Sequence, residues 1–152
     1  MKILIVCTGN TCRSPMAEGI FKTLAKENNL DVQVQSAGTF AFGGDGASYN
    51  AIKALEALNI DISNHRSQLV HWDLIGDMDL IFTMTLSHKD AMLKEYPDLD
   101  EKIFLLNEFA FGVEKDIMDP YGGSLEVYEK VRDEIYKAAE GIVVKLSNGG
   151  VL

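Results

Sequence analysis

The segment Lys2-Ile3-Leu4-Ile5-Val6 limits this chain's fold more than any other. A strand with one wet face alternates apolar and polar residues. An unbroken apolar run needs cover on both faces, as inside a parallel sheet flanked by helices. The next segments fit that setting. Ser14 and Pro15 read as an N-cap and a first helical residue, after which Met16, Ile20 and Leu24 recur on one face. Val32-Gln33-Val34-Gln35-Ser36 alternates with period two, and Ala47 to Leu58 carries Ile52, Leu55 and Leu58 at helical spacing. Met78 to Met84 reads as a third strand, Ser87 caps a helix running toward Tyr96-Pro97, and Ile103-Phe104-Leu105-Leu106 is a short fourth strand. From Ser124 onward, Leu125, Tyr128, Val131, Ile135, Ile142 and Leu146 form the apolar stripe of a long final helix, with Gly149 and Gly150 fraying beyond it.

Strand and helix patterns alternate without a long linker, repeat or low-complexity tract. The expectation is therefore one α/β domain over residues 1–152. Its sheet would be four-stranded and mostly parallel, with helices on both faces, doubly wound in the flavodoxin-like manner; the strand order stays open. An apolar fraction of 47% in 152 residues suffices for such a core. A net charge of −9 with no basic stripe argues against nucleic acid as a partner. No apolar stretch approaches the ~18 residues of a membrane span, and Met1 to Val6 is too short for the apolar core of a secretory leader. No membrane partner and a cytoplasmic location are expected, where Cys7 and Cys12, the only cysteines, stay reduced by default. Two cysteines and three histidines show no zinc spacing, so no metal and no cofactor are expected.

Both cysteines lie in Cys7-Thr8-Gly9-Asn10-Thr11-Cys12-Arg13-Ser14-Pro15, where the first strand gives way to the first helix. In open α/β sheets, ligands sit outside the carboxyl ends of the strands. A loop entering a helix presents backbone N–H groups and a partial positive charge, so Thr8 to Ser14 is a natural cradle for an oxyanion, with Gly9 permitting the tight path. At the start of that cradle Cys7 is favoured as a thiolate and is a nucleophile. Arg13 can hold two oxygens of a tetrahedral anion with its planar fork. The lysine-serine ending of a nucleotide-binding loop is missing, which argues against ATP or GTP. Taken singly, the same residues have plainer readings: Cys7 as a small core residue, Asp119-Pro120 as a turn, His65 as a structural histidine.

The stretch from Cys7 to Pro15 resembles the Cys-x5-Arg-Ser signature of the low-molecular-weight protein-tyrosine phosphatases, second cysteine included. Far downstream, Asp119-Pro120-Tyr121 resembles that family's Asp-Pro-aromatic loop; Ser36-Ala37-Gly38-Thr39 and His65-Arg66-Ser67 resemble further family segments. The resemblance implies a metal-independent phosphatase in which Cys7 attacks phosphorus, Arg13 and the loop carry the oxygens, and Asp119 is the general acid. Ser14 would donate to the Cys7 sulfur, Asn10 would hold the loop's shape, and Ser36 and His65 would support it. Cys12 would be a redox partner for Cys7, or else simply pack beneath the loop. Phosphorylated proteins would be the substrates and inorganic phosphate the product, with a monomer as the working expectation for an oligomeric state the sequence leaves open.

Phosphotyrosine is the first expectation, with Thr11, Phe40 and Tyr121 as pocket walls. Phe40 and Phe42 equally suit the anchoring of a mobile loop. The alternative is phosphoarginine: family members acting on phosphotyrosine resemble one another in having a bulky aliphatic residue where this chain has Thr11, and a second aromatic where it has Gly122. A remote alternative is a phosphoprotein-binding module without turnover, which would need neither Cys7 nor Asp119. A thioredoxin-coupled arsenate reductase shares the fold, but its relay needs later cysteines that this chain lacks.

Overall fold

The computed structural model describes residues 1–149; Gly150, and with it part of the expected fraying end, lies outside them. In chain order the elements are β1 (Lys2–Cys7), α1 (Arg13–Glu27), β2 (Gln33–Gly38), α2 (Tyr49–Glu56), α3 (Trp72–Ile75), β3 (Leu80–Thr83), α4 (Leu86–Glu95), β4 (Ile103–Leu105), α5 (Leu106–Phe111) and α6 (Leu125–Ser147). The four strands form one sheet in the order β2-β1-β3-β4, and every pairing is parallel rather than most of them. β1 and β3 are thus interior, and the chain reverses its winding between β2 and β3, which opens a crevice at the carboxyl end of β1.

The continuous run in β1 divides by period two. Ile3, Ile5 and Cys7 face a core built with α1, α2, α5 and α6, whereas Leu4 and Val6 face a smaller one with Ile75 of α3 and Met92 of α4. Ile3, Leu4, Ile5 and Val6 are fully buried, each contributing about 1.5–3 kcal/mol by removal from water. Cys7 therefore ends β1 pointing to the α1 side, where the loop into that helix curls over it.

Several boundaries differ from those the sequence suggests. α1 begins at Arg13 with Cys12 as its N-cap, not at Pro15 with Ser14 as cap; the Ser14 hydroxyl is engaged by Cys7 and Asn10 instead. Thr85, not Ser87, caps α4, its hydroxyl accepting from the backbone N–H of His88. β2 runs two residues beyond Ser36, to Gly38, because Ala37 and Gly38 pair with Val6 and Cys7. β4 ends at Leu105, and Leu106 opens α5, a helix that the short apolar run conceals.

Candidate active site

The turn from Cys7 to Arg13 sorts its polar groups by direction. The carbonyls of Cys7, Thr8, Thr11 and Cys12 accept from the backbone N–H groups of Thr39 (2.9 Å), Phe40 (2.9 Å), Ser48 (2.8 Å) and Met16 (3.3 Å). The carbonyl of Asn10 accepts from His65 Nε2 at 2.7 Å. Among the described residues, the N–H groups from Gly9 to Cys12 donate to nothing in the protein. A loop with five of its carbonyls, all but that of Gly9, bonded outward while its donors remain free is built to receive an anion. The N-terminus of α1 adds its partial positive charge on the same side.

Asn10 makes this path possible. Its backbone is left-handed, φ 59°, a conformation asparagine tolerates better than most residues. Its side chain is fully buried, and the backbone N–H of Gln68 donates to Oδ1 at 3.0 Å, which fixes the amide's orientation. Nδ2 then donates to Ser14 Oγ (2.8 Å) and Ser36 Oγ (2.9 Å). The Ser36 hydroxyl in turn donates to Glu18 Oε1 at 2.6 Å. Ser14, already accepting from Asn10, is left to donate to Cys7 Sγ at 2.8 Å. Gly38 completes the fit from β2: a Cβ there would lie 2.3 Å from the carbonyl of Thr8, so only glycine lets the strand pass so close.

Cys7, Thr8, Gly9, Thr11, Cys12 and Arg13 line a cavity of about 280 Å³, together with Asp119 and Tyr121 from the segment before α6. Arg13 is buried; its Nη1 donates to the carbonyl of Ile117 at 2.9 Å, while Nη2 stands 3.7 Å from Asp119 Oδ2. The segment carrying Asp119 is itself tied down: Ile117 is fully buried and its N–H donates to the carbonyl of Met84 beyond β3, and Asn107 Nδ2 holds the carbonyl of Lys115. Asp119 Oδ1 accepts from the N–H of Tyr121 at 3.1 Å, leaving a half-exposed carboxylate at the cavity mouth.

The Cys12 thiol lies among hydroxyls of its own. Its Sγ lies 3.3 Å from Tyr128 Oη and 3.5 Å from Ser48 Oγ. Burial, with Cys12 beside it, pushes the Tyr128 phenol up to about 12, so it stays a neutral donor. Both cysteines are free.

The structure thus brings Cys7, Thr8, Gly9, Thr11, Cys12, Arg13, Asp119 and Tyr121 to one cavity, with Asn10, Ser14, Ser36 and His65 behind its loop. Phe40 is not among the cavity's walls; it lines a separate depression with Leu69 and Met92, and Phe42 is 96% exposed. Neither ring anchors its loop on the core. Sequence reading missed Gln68, Ile117 and Tyr128, and also His88, whose Nε2 is 2.7 Å from Thr8 Oγ1. Gln68 and Ile117 act through backbone atoms, which leave no residue signature; Tyr128 sits on an apolar stripe and reads as core.

A cysteine-and-arginine anion loop at the carboxyl end of an interior strand, facing an aspartate, defines a phosphatase of the cysteine-dependent class. Comparison with known proteins narrows this. The family model for low molecular weight phosphotyrosine protein phosphatase matches residues 2–150. A protein-arginine-phosphatase of Bacillus subtilis is 42% identical over 135 residues, 89% of each chain. The low molecular weight protein-tyrosine-phosphatase PtpB of Staphylococcus epidermidis is 38% identical over 145 residues, covering 95% of this chain and 99% of its own. A solved structure of YwlE arginine phosphatase, a cysteine-to-serine mutant with a phosphorylated active-site serine, superposes with a TM-score of 0.94 at 38% identity, covering 96% of this chain and 95% of the other. The chain belongs to the low molecular weight phosphotyrosine protein phosphatase family.

Proposed function

We propose that the protein hydrolyses phosphotyrosine in proteins through a phosphocysteine intermediate. The observation that carries this reading is the loop's division of labour around Cys7: outward carbonyls bonded, N–H groups from Gly9 to Cys12 free, and Arg13 and Asp119 on the same cavity. Cys7 Sγ attacks phosphorus in line while the loop N–H groups and Arg13 take the growing charge on the equatorial oxygens. Asp119 gives its proton to the departing phenolate oxygen. Water then attacks the phosphocysteine, Asp119 takes the water's proton, and Cys7 leaves as a thiolate steadied by the Ser14 hydroxyl. Inorganic phosphate is the product, and no step needs a metal. The covalent route is supported by the relative whose active-site serine is found phosphorylated.

We further propose a single phosphatase domain that acts as a monomer in the cytoplasm, where the two cysteines stay reduced by default.

Protein arginine phosphatase is the second reading, favoured by Thr11 on the cavity wall and by the Bacillus subtilis relative. The Thr11 hydroxyl suits a polar group beside phosphorus. Gly122 leaves Tyr121 without an aromatic neighbour on its loop, and its φ of 77° disfavours any side chain there. The test is kcat/KM on matched phosphotyrosine and phosphoarginine peptides, measured with a chelator present. The first reading expects the phosphotyrosine peptide to be preferred and Thr11→Ile to change that little. Preference for phosphoarginine, reversed by Thr11→Ile, establishes the second. Turnover of neither peptide removes both.

For Cys12 we propose protection of the nucleophile. Peroxide converts the Cys7 thiolate to a sulfenic acid; the Cys12 thiol attacks that sulfur, forming a disulfide and releasing water. After peroxide and then thiol, activity is expected to return in the parent and largely fail to return in Cys12→Ser. Equal recovery would leave Cys12 only its contacts with Ser48 and Tyr128.

A further inference from the structure

His88 stands outside the phosphoryl-transfer machinery. Among the described residues, its Nδ1 is the one buried side-chain nitrogen or oxygen without a hydrogen-bond partner. The ring sits in the first turn of α4, and its only polar contact through a ring nitrogen is with Thr8 Oγ1, at 2.7 Å; Thr8 lines the cavity.

A neutral imidazole carries one N–H, on either nitrogen, and a threonine hydroxyl can donate or accept. The two arrangements are unequal here. With the proton on Nδ1, a buried N–H would face no acceptor, the rarest kind of defect in a folded protein. With the proton on Nε2, only a lone pair goes unpaired. Protonating both nitrogens is opposed first by burial and then by the Arg13 guanidinium. Together they hold the ring down to about 4 against the opposite pull of Asp116 and Asp119.

We infer that His88 is a positioning residue acting through Thr8: its Nε2–H occupies a lone pair of the Thr8 hydroxyl and leaves that hydroxyl's own proton free for an anion in the cavity. This rests on the phosphatase reading and adds a side-chain donor to the loop amides and Arg13. It also gives α4, which carries none of the residues of the Cys7 loop or the Asp119 segment, a direct hold on the loop's second residue.

The experiment is the inhibition constant of inorganic phosphate against hydrolysis of an aryl phosphate, for the parent, Thr8→Val, His88→Phe, His88→Gln and the Thr8→Val/His88→Phe double variant. Thr8→Val and His88→Phe are each expected to weaken phosphate by about tenfold, the scale of one hydrogen bond to a charged group. The double variant is expected to be no weaker than Thr8→Val alone, and His88→Gln, which keeps an N–H donor, to recover most of the loss. Nitrogen-15 shifts of the parent's His88 should report Nε2 protonated and Nδ1 bare. A proton on Nδ1, additive losses, or phosphate affinity indifferent to Thr8→Val overturns the inference. If melting shows His88→Phe unfolded, the tautomer, Thr8→Val and His88→Gln decide alone. An active parent with unaffected variants removes only this inference; a parent that hydrolyses neither the aryl phosphate nor a phosphoarginine peptide removes the phosphatase reading itself.

Discussion

Cys7→Ser is expected to abolish steady-state hydrolysis of aryl phosphates while inorganic phosphate or vanadate still binds. The cradle that receives the anion is made of backbone N–H groups, Arg13 and the α1 N-terminus, none of which the substitution touches. What changes is the attacking and leaving atom. A serine hydroxyl holds its proton at neutral pH, and among the described residues the one side-chain hydrogen-bond partner at Cys7 is the Ser14 hydroxyl, itself a donor and not a general base. Any ester that does form on serine is also a poor substrate for the second step, because an alkoxide leaves far less readily than a thiolate. Mass spectrometry after long incubation with substrate should therefore show either the bare variant or a trapped phosphoserine, without catalytic release of phosphate. Retention of more than a small fraction of turnover would remove Cys7 as nucleophile.

The second large effect is expected at Asp119. Asp119→Asn should slow hydrolysis of phenyl phosphate by about 10²–10⁴, the range general acid catalysis supplies, because a phenolate of pKa ~10 departs reluctantly without a proton. The carboxylate's place, on the same cavity as Cys7 and 3.7 Å from Arg13 Nη2, suits transfer to an atom leaving from phosphorus bound there. The loss is expected to shrink as the leaving group becomes more acidic. An equal loss for good and poor leaving groups would make Asp119 a structural residue, since its Oδ1 also accepts from the N–H of Tyr121.

The parts of this site legible from sequence are those in which residue type and position carry the chemistry. A continuous apolar strand ending in cysteine, then glycine, arginine and a helix start, is a local pattern, and the α/β alternation comes from period alone. Strand order was out of reach because the sheet's winding reverses without any change in the local patterns on which such readings depend. Ser14 shows how a correct residue can be given the wrong local role: next to Pro15 it has the pattern of a cap, yet its hydroxyl faces Cys7 and Asn10. His88 and Tyr128 lie on helices whose spacing says only that they face inward, and what they meet there is decided by crossings between distant elements. Phe40 and Phe42 were ambiguous in sequence for the opposite reason. Large apolar residues in a glycine-rich loop suggest a wall or an anchor, and the structure leaves both rings largely exposed, away from the cavity's lining.

The bond from Arg13 Nη1 to the carbonyl of Ile117 makes one guanidinium the ruler between the cradle and the proton donor. Only Met118 separates Ile117 from Asp119, so the reach of the carboxylate is set over a very short stretch of chain, pinned at one end by a buried isoleucine. Upstream, between Gly112 and Glu114, the backbone bonds only locally, the Gly112 N–H to the carbonyl of Glu108 and the Val113 carbonyl to the N–H of Lys115. Insertions or deletions are therefore unequal in their consequences along a single loop: length can vary before Lys115 without moving the acid, whereas one residue added between Ile117 and Asp119 would displace the carboxylate by up to about 3.5 Å, more than a proton transfer tolerates. The same loop is permissive at its beginning and fixed in length at its centre.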